Sequence, residues 1–288
     1  PLNHGRLKYF QPIKYRSFNM SLNRYLSISL ILFIHQLVQA QESKKDRTGF
    51  SYGAGFYGGL ASNENAMFYN GSPDKVNNIA SVFNIQTNYE EVQMLLNDDF
   101  KVVEYPSKMN YNPALGLIGN LGYYFTNNQE IYTQIAFSRL HTDGQFVLEL
   151  ASPAQNNIDT KNYVNGDIVA TESRFDIEIG YHLRLTETKK YNPFVECAGN
   201  INIVNVLTHT MSVSSFSRSL ISASTYSVSS NQKQGGTGAG ISLAFGYETQ
   251  LKPKMYCSFG IHGSMKKIHL LSDASLTPHA DLFLRFTF

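Results

Sequence analysis

This chain is poor in three features that would point to familiar classes of protein. It has no tryptophan, only two cysteines, and 16% charged residues among its 288 positions. Two cysteines do not make the disulfide framework of a small secreted domain. No segment reaches the run of roughly 18 apolar residues that a membrane-spanning helix requires. If such a chain spans a membrane at all, it must do so as a closed β-barrel.

The charge balance and the lack of catalytic motifs exclude further classes. The whole chain carries a formal charge of +2, and positions 1–40 hold five basic and no acidic residues. Residues 41–288 therefore hold 19 basic and 22 acidic residues, a net charge of −3. This near-neutral balance argues against nucleic acid as a partner. Because the sequence has no paired metal-ligand spacing, phosphate-binding loop or CxxC motif, we expect no metal site and no cofactor.

The N-terminal region has the pattern of a secretory signal peptide. Met20 is followed by Arg24 and by an apolar run over residues 26–38. A run of about 13 residues is too short to cross a bilayer, which needs about 20. At its end, Val-Gln-Ala at 38–40 resembles a signal-peptidase site. We expect residues 1–40 to be an extension plus a signal peptide cleaved after Ala40, in preference to a buried helix. Residues 41–48 would then form a short periplasmic leader, and 49–288 the folded domain.

Residues 49–288 read as strands of alternating polarity. The clearest of them has Phe175, Ile177 and Ile179 on one face, with Asp176 and Glu178 on the other. A period of two with one apolar face is typical of a strand that separates lipid from a polar lumen. The pattern predicts eight strands, at residues 50–60, 113–125, 130–150, 174–185, 193–210, 237–251, 255–271 and 280–288.

The predicted connections differ in length from one end of the strands to the other. Three are tight polar turns, at 126–129, 186–190 and 252–254, whereas longer connections span 61–111, 151–170, 214–234 and 272–279. We also expect the third strand to be broken near 142–144. Short turns at one end and long loops at the other are the asymmetry of an outer-membrane barrel. We therefore predict an all-β fold: an eight-stranded antiparallel up-and-down transmembrane β-barrel with long extracellular loops, in preference to a soluble sandwich.

The two cysteines fall on different predicted strands. Cys197 lies on the fifth and Cys257 on the seventh, which places them about two strand spacings, or ~10 Å, apart. A disulfide needs Cα atoms within about 7 Å of each other. We expect two free thiols that face lipid and act as small apolar residues.

The last strand carries the most specific signal in the chain. Leu282, Leu284, Phe286 and Phe288 share one face, and Phe288 is the final residue of the sequence. An alternating strand that ends in an aromatic residue resembles the C-terminal signal of bacterial outer-membrane barrels. This similarity implies insertion by the barrel-assembly machinery, with outer-membrane lipid around the strands.

Several segments in order strengthen this resemblance. They are Leu-Gly-Tyr-Tyr-Phe at 121–125, Tyr-Asn-Pro-Phe-Val at 191–195 and Leu-Phe-Leu-Arg-Phe-Thr-Phe at 282–288. Together they resemble the small OmpA/OmpX-like barrel family, and most closely the generic outer-membrane β-barrel domains common in Bacteroidetes. The resemblance covers about 49–288 and implies the outer membrane of a Gram-negative bacterium. OmpA's peptidoglycan-binding domain has no counterpart in the sequence given, so that activity is not expected.

Four charged residues are predicted to face the lumen near the turn end of their strands: Arg184, Glu196, Glu248 and Arg285. An eight-stranded barrel has an interior just wide enough for side chains to fill. Two cations and two anions in that space are expected to form a salt-bridged plug. The alternative is a narrow gated pore or an ion site.

The long loops are the remaining candidates for function. Residues 61–111 exceed what a structural connection needs, and 89–99 have the pattern of a short amphipathic helix, which would cap the barrel mouth or dock onto another outer-membrane or surface protein. The Ser-rich loop 214–234 reads as exposed. We expect a structural or surface-interaction role, with a narrow solute channel as the alternative. An enzyme is less favoured: His262 and Ser264 share an inward face, but no spacing indicates a catalytic arrangement.

Overall fold

A computed structural model of the chain describes residues 47–153, 161–186, 191–221, 234–270 and 273–288. The expected signal peptide and its cleavage site lie outside these residues. The elements in chain order are β1 (Gly49–Leu60), α1 (Asn63–Ala66), a 3₁₀ helix (Met67–Tyr69), α2 (Ile79–Phe83), α3 (Gln86–Leu96), β2 (Phe100–Glu104), β3 (Asn110–Tyr111), β4 (Ala114–Thr126), β5 (Gln129–Leu150), β6 (Tyr163–Arg184), β7 (Asn192–Val213), β8 (Phe216–Ser219), β9 (Gly235–Lys252), β10 (Met255–Leu270) and β11 (Asp273–Thr287). None of the helices in the described ranges has both the length and the apolar character to cross a bilayer.

Eight of the strands close into a barrel. The strands pair in the order β1, β4, β5, β6, β7, β9, β10 and β11. The ring is closed because β11 pairs antiparallel with β1, from Gly53 opposite Thr287 to Leu60 opposite Ala280. Closure leaves no barrel edge with unpaired backbone groups, which is the condition for spanning a membrane with strands. The predicted eight-stranded antiparallel barrel is confirmed.

The barrel wall is much taller on one side than on the other. β5, β6 and β7 each have 22 residues, whereas β1 has 12 and β4 has 13. A tilted strand needs about 9–11 residues to cross a bilayer, so the three long strands continue well beyond it. We call the end of the barrel away from the three tight turns the upper end. There the long strands pair with additional short strands: β2 and β3 pair with β5, and β8 pairs with β7.

Three sequence-based boundaries are wrong, all at the upper ends of strands. β5 is unbroken through 142–144, where Asp143 pairs with Val169. β6 begins at Tyr163, so residues 163–170 of the expected loop at 151–170 are strand. β11 begins at Asp273, which pairs with Leu270, so residues 273–279 of the expected loop at 272–279 are strand. On β5 and β6 the alternation of apolar and polar residues continues in these segments, but with the apolar residues inward and the polar residues outward.

The inside and the outside of the wall exchange polarity along the long strands. On β5 the outward residues change from Ile135 and Phe137 to Arg139, His141 and Asp143, all of them exposed. In the same direction the inward residues change from Glu130, Gln134 and Ser138 to Leu140, Phe146 and Leu148, all six of them buried. The first pattern suits lipid outside, and the second suits water outside.

The exchange occurs at one level in three neighbouring strands. Ser138 on β5 pairs with Arg174 on β6, and Arg174 pairs with Val204 on β7. Above this level most inward residues of β6 and β7 are apolar, among them Ala170, Ile168 and Val206, and the buried exceptions are Glu172 and His209. We call the inward-facing side chains at and below this level, together with Glu172 just above it, the polar lumen. The dome consists of residues 61–111, the upper parts of β5, β6 and β7, and β8.

The dome has a hydrophobic core like that of a water-soluble domain. Loop residues pack against the inward face of the long strands, and its buried members include Phe68, Tyr69, Ile79, Val82, Val92, Phe146, Leu148, Ile168, Met211 and Phe216. The ring of Phe146 lies where a Cβ on Gly166 would be, so only glycine fits at that position. Loop 61–111 is therefore attached to the long strands by close packing at many points along its length.

Candidate functional site

At the turn end, an arginine from outside the strands enters the polar lumen. Arg47 binds Glu248 through both guanidinium arms, with Nη2 2.9 Å from Oε2. Its guanidinium lies 4.0 Å from the ring centre of Tyr124 and 3.6 Å from that of Tyr256. Arg184 donates to the same Glu248 carboxylate. Two arginines and two aromatic rings thus surround one buried carboxylate and fill this end of the barrel.

Sequence reasoning missed Arg47, which had been assigned to the leader 41–48. Because Arg47 precedes β1, the alternation of a strand does not reveal which way its side chain points. The inward direction of the Arg47 side chain follows from its contact with Glu248 on β9, which exists only in the closed barrel.

A second charge cluster spans the middle of the polar lumen. The Glu196 carboxylate accepts from Arg285, and its Oε1 lies 2.7 Å from His182 Nδ1. Arg285 also donates to Gln134 Oε1 at 3.2 Å, and Gln134 in turn donates to Glu178 Oε2 at 3.2 Å. These side chains come from β5, β6, β7 and β11, so the cluster links opposite walls.

A small cavity of about 30 Å³ lies beside this cluster. It has room for about one water molecule. Charged groups line it together with the apolar side chains Ile118, Ala136 and Phe283. His262 contacts Asp281 and Glu178 here, and Lys266 Nζ lies 3.0 Å from Asp176 Oδ1. Within the described residues the lumen is therefore filled rather than open at this level.

The top of the polar lumen is joined to the dome through one carboxylate. Glu172 Oε2 accepts from the hydroxyls of Tyr69 at 2.5 Å and Tyr111 at 3.0 Å, and Oε1 accepts from Arg174 Nε at 2.6 Å. Burial, and then the adjacent Glu172 carboxylate, raise the pKa of the Tyr69 hydroxyl well above its usual value. Tyr69 therefore stays a hydrogen-bond donor, and it connects loop 61–111 to the barrel wall.

The four charged residues singled out from the sequence lie in two pairs. Arg184 is bonded to Glu248, and Arg285 to Glu196. The first pair is completed by Arg47 and the second by His182. All four side chains point inward and are buried.

The C-terminal segment lies in the seam that closes the barrel. Phe288 N donates to Tyr52 O at 2.8 Å, and Tyr52 N donates to Phe288 O at 3.2 Å. The two rings stack with centres 5.8 Å apart. Leu282 and Phe288 are exposed on the outer face, and Leu284 and Phe286 share that face with partial cover.

Loop 61–111 forms a cap, and its helix α3 closes the top of the dome. The helix covers Gln86–Leu96, close to the helix expected at 89–99. Val92 points into the dome core. On the other side Arg218, on β8, donates to Glu91 at 2.5 Å and to Asn88 at 3.2 Å. Of the Ser-rich loop 214–234, residues 222–233 lie outside the described ranges.

The arrangement around His262 is not that of a nucleophile and its base. The ring nitrogens of His262 face two carboxylates, while Ser264 Oγ has no hydrogen-bond partner in the described part of the chain. Over the same ranges, no group of three or more His, Cys, Asp or Glu side chains is placed to hold a metal ion.

Both cysteines are free thiols, but their surroundings differ. Cys197 is exposed on the outer wall, as expected, whereas Cys257 is buried. The expectation that both face lipid is therefore wrong for Cys257. Across the strands Cys257 pairs with Phe286 of β11.

No protein-family model and no curated protein matches this chain. Solved structures similar to it include Neisserial surface protein A, with 8% identity, 83% of this chain and 96% of that chain covered, and a TM-score of 0.43. The structure of Ail, the attachment invasion locus protein of Yersinia pestis, in complex with the heparin analogue sucrose octasulfate, has 10% identity, coverage of 84% and 99%, and a TM-score of 0.35. The outer membrane protein OprG from Pseudomonas aeruginosa has 9% identity, coverage of 84% and 97%, and a TM-score of 0.37. At these values no residue role or activity is transferable to this chain.

Proposed function

We propose that the protein is an integral outer-membrane barrel of a Gram-negative bacterium with a structural or surface-interaction role, and that its dome is the contact surface. The observation that carries the proposal is the exchange of polarity at one level of the wall. Below that level the exterior is a band of exposed apolar side chains, among them Phe56, Leu117, Ile179 and Ile241. Above it, a folded dome stands clear of the membrane and presents polar residues to water.

The filled lumen supports an interaction role over transport. Side chains occupy the barrel at the turn end, in the middle and at the junction with the dome, and loop 61–111 packs over the top. A role in contact with another outer-membrane or surface protein needs only the outer surface of the dome. In this proposal the barrel anchors the dome, and insertion depends on the barrel-assembly machinery.

Planar-bilayer recordings test this role directly. Purified protein is expected to show no large, steady single-channel conductance, because buried ion pairs close the lumen. Steady conductance from wild-type protein would contradict the proposal. Co-purification from native outer membranes, compared with a sample whose dome is removed from whole cells by protease, then tests whether a partner is held by the dome.

A narrow channel for small solutes is the second candidate, and the charged lumen with its small cavity favours it. In that case Arg285→Ala or Glu196→Ala alters conductance or solute uptake. If these variants change only stability, the channel idea fails. An enzymatic role gains no support, because the groups around His262 lack a paired nucleophile in the described residues.

A further inference from the structure

His262 lies between two carboxylates that belong to different strands. Its Nδ1 is 3.1 Å from Asp281 Oδ2 on β11, and its Nε2 is 3.3 Å from Glu178 Oε1 on β6. The first contact is a hydrogen bond, and the second is an ion-pair contact without hydrogen-bond alignment. The His262 side chain is 12% exposed, and that of Glu178 is 3% exposed. The site is therefore shielded from most of the water that would weaken these contacts.

The two contacts constrain the protons of the ring. A neutral imidazole has one N–H and one lone pair, and an ionised carboxylate only accepts. If His262 donates from Nδ1 to Asp281 while neutral, the Nε2 lone pair faces the negative charge of Glu178. Both contacts are attractive when both ring nitrogens carry hydrogen.

The other charged and titratable groups packed around His262 have contacts of their own. His279 on β11 contacts Arg174 Nη1 and Thr277 Oγ1. Lys266 on β10 pairs with Asp176 on β6, and Arg285 on β11 pairs with Glu196 on β7. From β5, neutral Gln134 donates to the other oxygen of Glu178, and from β1 the phenol of Tyr57 lines the same cavity. In the described ranges neither Glu178 nor Asp281 forms an ion pair with lysine or arginine.

The charge balance of the whole polar lumen also favours a protonated His262. Among the described residues, seven inward carboxylates accompany five lysine or arginine side chains: Glu130, Glu172, Asp176, Glu178, Glu196, Glu248 and Asp281 against Arg47, Arg174, Arg184, Lys266 and Arg285. Unpaired charge is costly in a low-dielectric interior. Positive charge is therefore missing, and a histidine between two carboxylates is placed to supply part of it.

We propose that His262 is a proton-binding site, in which the imidazolium forms a clasp that ties β6 to β11 across the lumen. The folded barrel then holds a proton that the unfolded chain, with an ordinary histidine, releases near neutral pH. Stability supplied by the clasp is present at low pH and is lost as the pH rises, because the folded state binds more protons than the unfolded state. Deprotonation leaves two carboxylates with one donor and loosens the link between the walls.

Nitrogen NMR of histidine-labelled wild-type protein in micelles tests the protonation state. The His262 signals are assigned by their loss in His262→Gln. At pH 7.5 both ring nitrogens are expected to carry hydrogen. A neutral ring with one bare nitrogen at this pH would overturn the proposal.

Glu178→Gln is the matched variant, because the side chain keeps its shape and its amide can donate to Nε2. His262 in Glu178→Gln is expected to be neutral at pH 7.5, with hydrogen on Nδ1 only. His182, which contacts the single carboxylate of Glu196, serves as the internal control, and its signals are expected not to change. An His262 ring that remains doubly protonated in Glu178→Gln would show that Glu178 does not hold the proton.

The pH dependence of thermal unfolding in detergent gives a second readout that does not require the variant spectra. The wild-type melting temperature is expected to fall by roughly 2–4 °C per pH unit above neutrality through this group, and His262→Gln is expected to remove that slope. His182→Gln is expected to keep it. An unchanged slope in His262→Gln would contradict the clasp.

Discussion

The polar lumen and the dome are built from the same strands but with opposite side-chain polarity. In the lumen the charged groups Glu196 and Arg285 are buried while the apolar residues face outward. In the dome Phe146 and Ile168 are buried while Asp167 and Gln145 are exposed. The backbone pairing of β5 with β6 runs from Gln129 opposite Leu183 to Glu149 opposite Tyr163 without a shift in register. The same hydrogen-bonded strand pair thus contacts lipid in its lower part and water in its upper part. Only the side of the wall that carries the apolar residues changes.

The dome and the polar lumen also differ in the interactions that stabilise them. The dome core depends on burial of apolar surface, as in a soluble domain. The polar lumen depends on ion pairs whose desolvation offsets much of their attraction, so that they specify the arrangement of the walls more than they stabilise it. Breaking one partner is nonetheless costly, because the other is left buried and uncompensated.

The largest effect is expected for Glu196→Ala. Arg285 and His182 both lose their carboxylate, and the free energy of unfolding is expected to fall by about 5 kcal/mol, the upper end for a broken buried pair. Urea titration followed by the gel mobility of the folded barrel measures it. The double variant Glu196→Leu/Arg285→Leu is the control, and it should lose less than Glu196→Ala alone. Equal or greater loss in the double variant would show that charge is not the cause.

Phe146→Ala tests the dome core. The side chain is fully buried against Gly166, so the variant is expected to lose about 4 kcal/mol from the stability of the dome. Hydrogen exchange in residues 61–111 should accelerate while the barrel remains folded. The adjacent outward residue gives the control, since Gln145→Ala should change little. If Phe146→Ala unfolds the barrel together with the dome, the two regions are not separable.

Tyr69→Phe tests the junction between the regions. The variant removes one of the two hydroxyls that donate to Glu172 but keeps the ring in the core. A loss of about 1.5–3 kcal/mol is expected, because the lost hydrogen bond has a charged acceptor. The measurement is the rate at which protease cleaves loop 61–111 in membrane-inserted protein. A rate equal to that of wild type would contradict a linking role for Glu172.

The smallest effect is expected at the surface of the dome. The Arg218–Glu91 ion pair has side chains that are both 42% exposed. Glu91→Gln should therefore change the stability of the dome by about 1 kcal/mol or less, and less still in high salt. Thermal unfolding of the dome at two salt concentrations checks this. A loss as large as that of Phe146→Ala would show that polar contacts, and not the apolar core, hold the dome together.

The sequence revealed the lipid-facing region well because lipid imposes one simple rule, apolar outward at every second residue. The strand with Leu282 and Phe288 and the strand with Ile177 and Ile179 follow it, and the eight-stranded barrel was predictable from them. The rule fails above the polarity exchange. There Asp167 faces out and Ile168 faces in, so the segment 163–170 looked like a polar loop.

Contacts between segments that are distant in the sequence could not be predicted from local patterns. Tyr69 and Glu172 are 103 positions apart, and Arg47 and Glu248 are 201 apart. A long loop with a helical segment indicated that 61–111 would fold, and α3 is close to the expected place. Which carboxylate the loop contacts depends on the closed barrel, because the pairing of the strands sets the position of Glu172.

Single-tryptophan fluorescence measures the polarity exchange most directly, because the chain has no tryptophan of its own. Phe137 and Gln145 are both on β5, on opposite sides of the exchange. In liposomes, Phe137→Trp is expected to be quenched by lipids brominated on the acyl chain and shielded from iodide in the water. Gln145→Trp is expected to show the reverse. If both tryptophans respond to iodide, or both to brominated lipid, the exchange of polarity along β5 does not mark the membrane boundary.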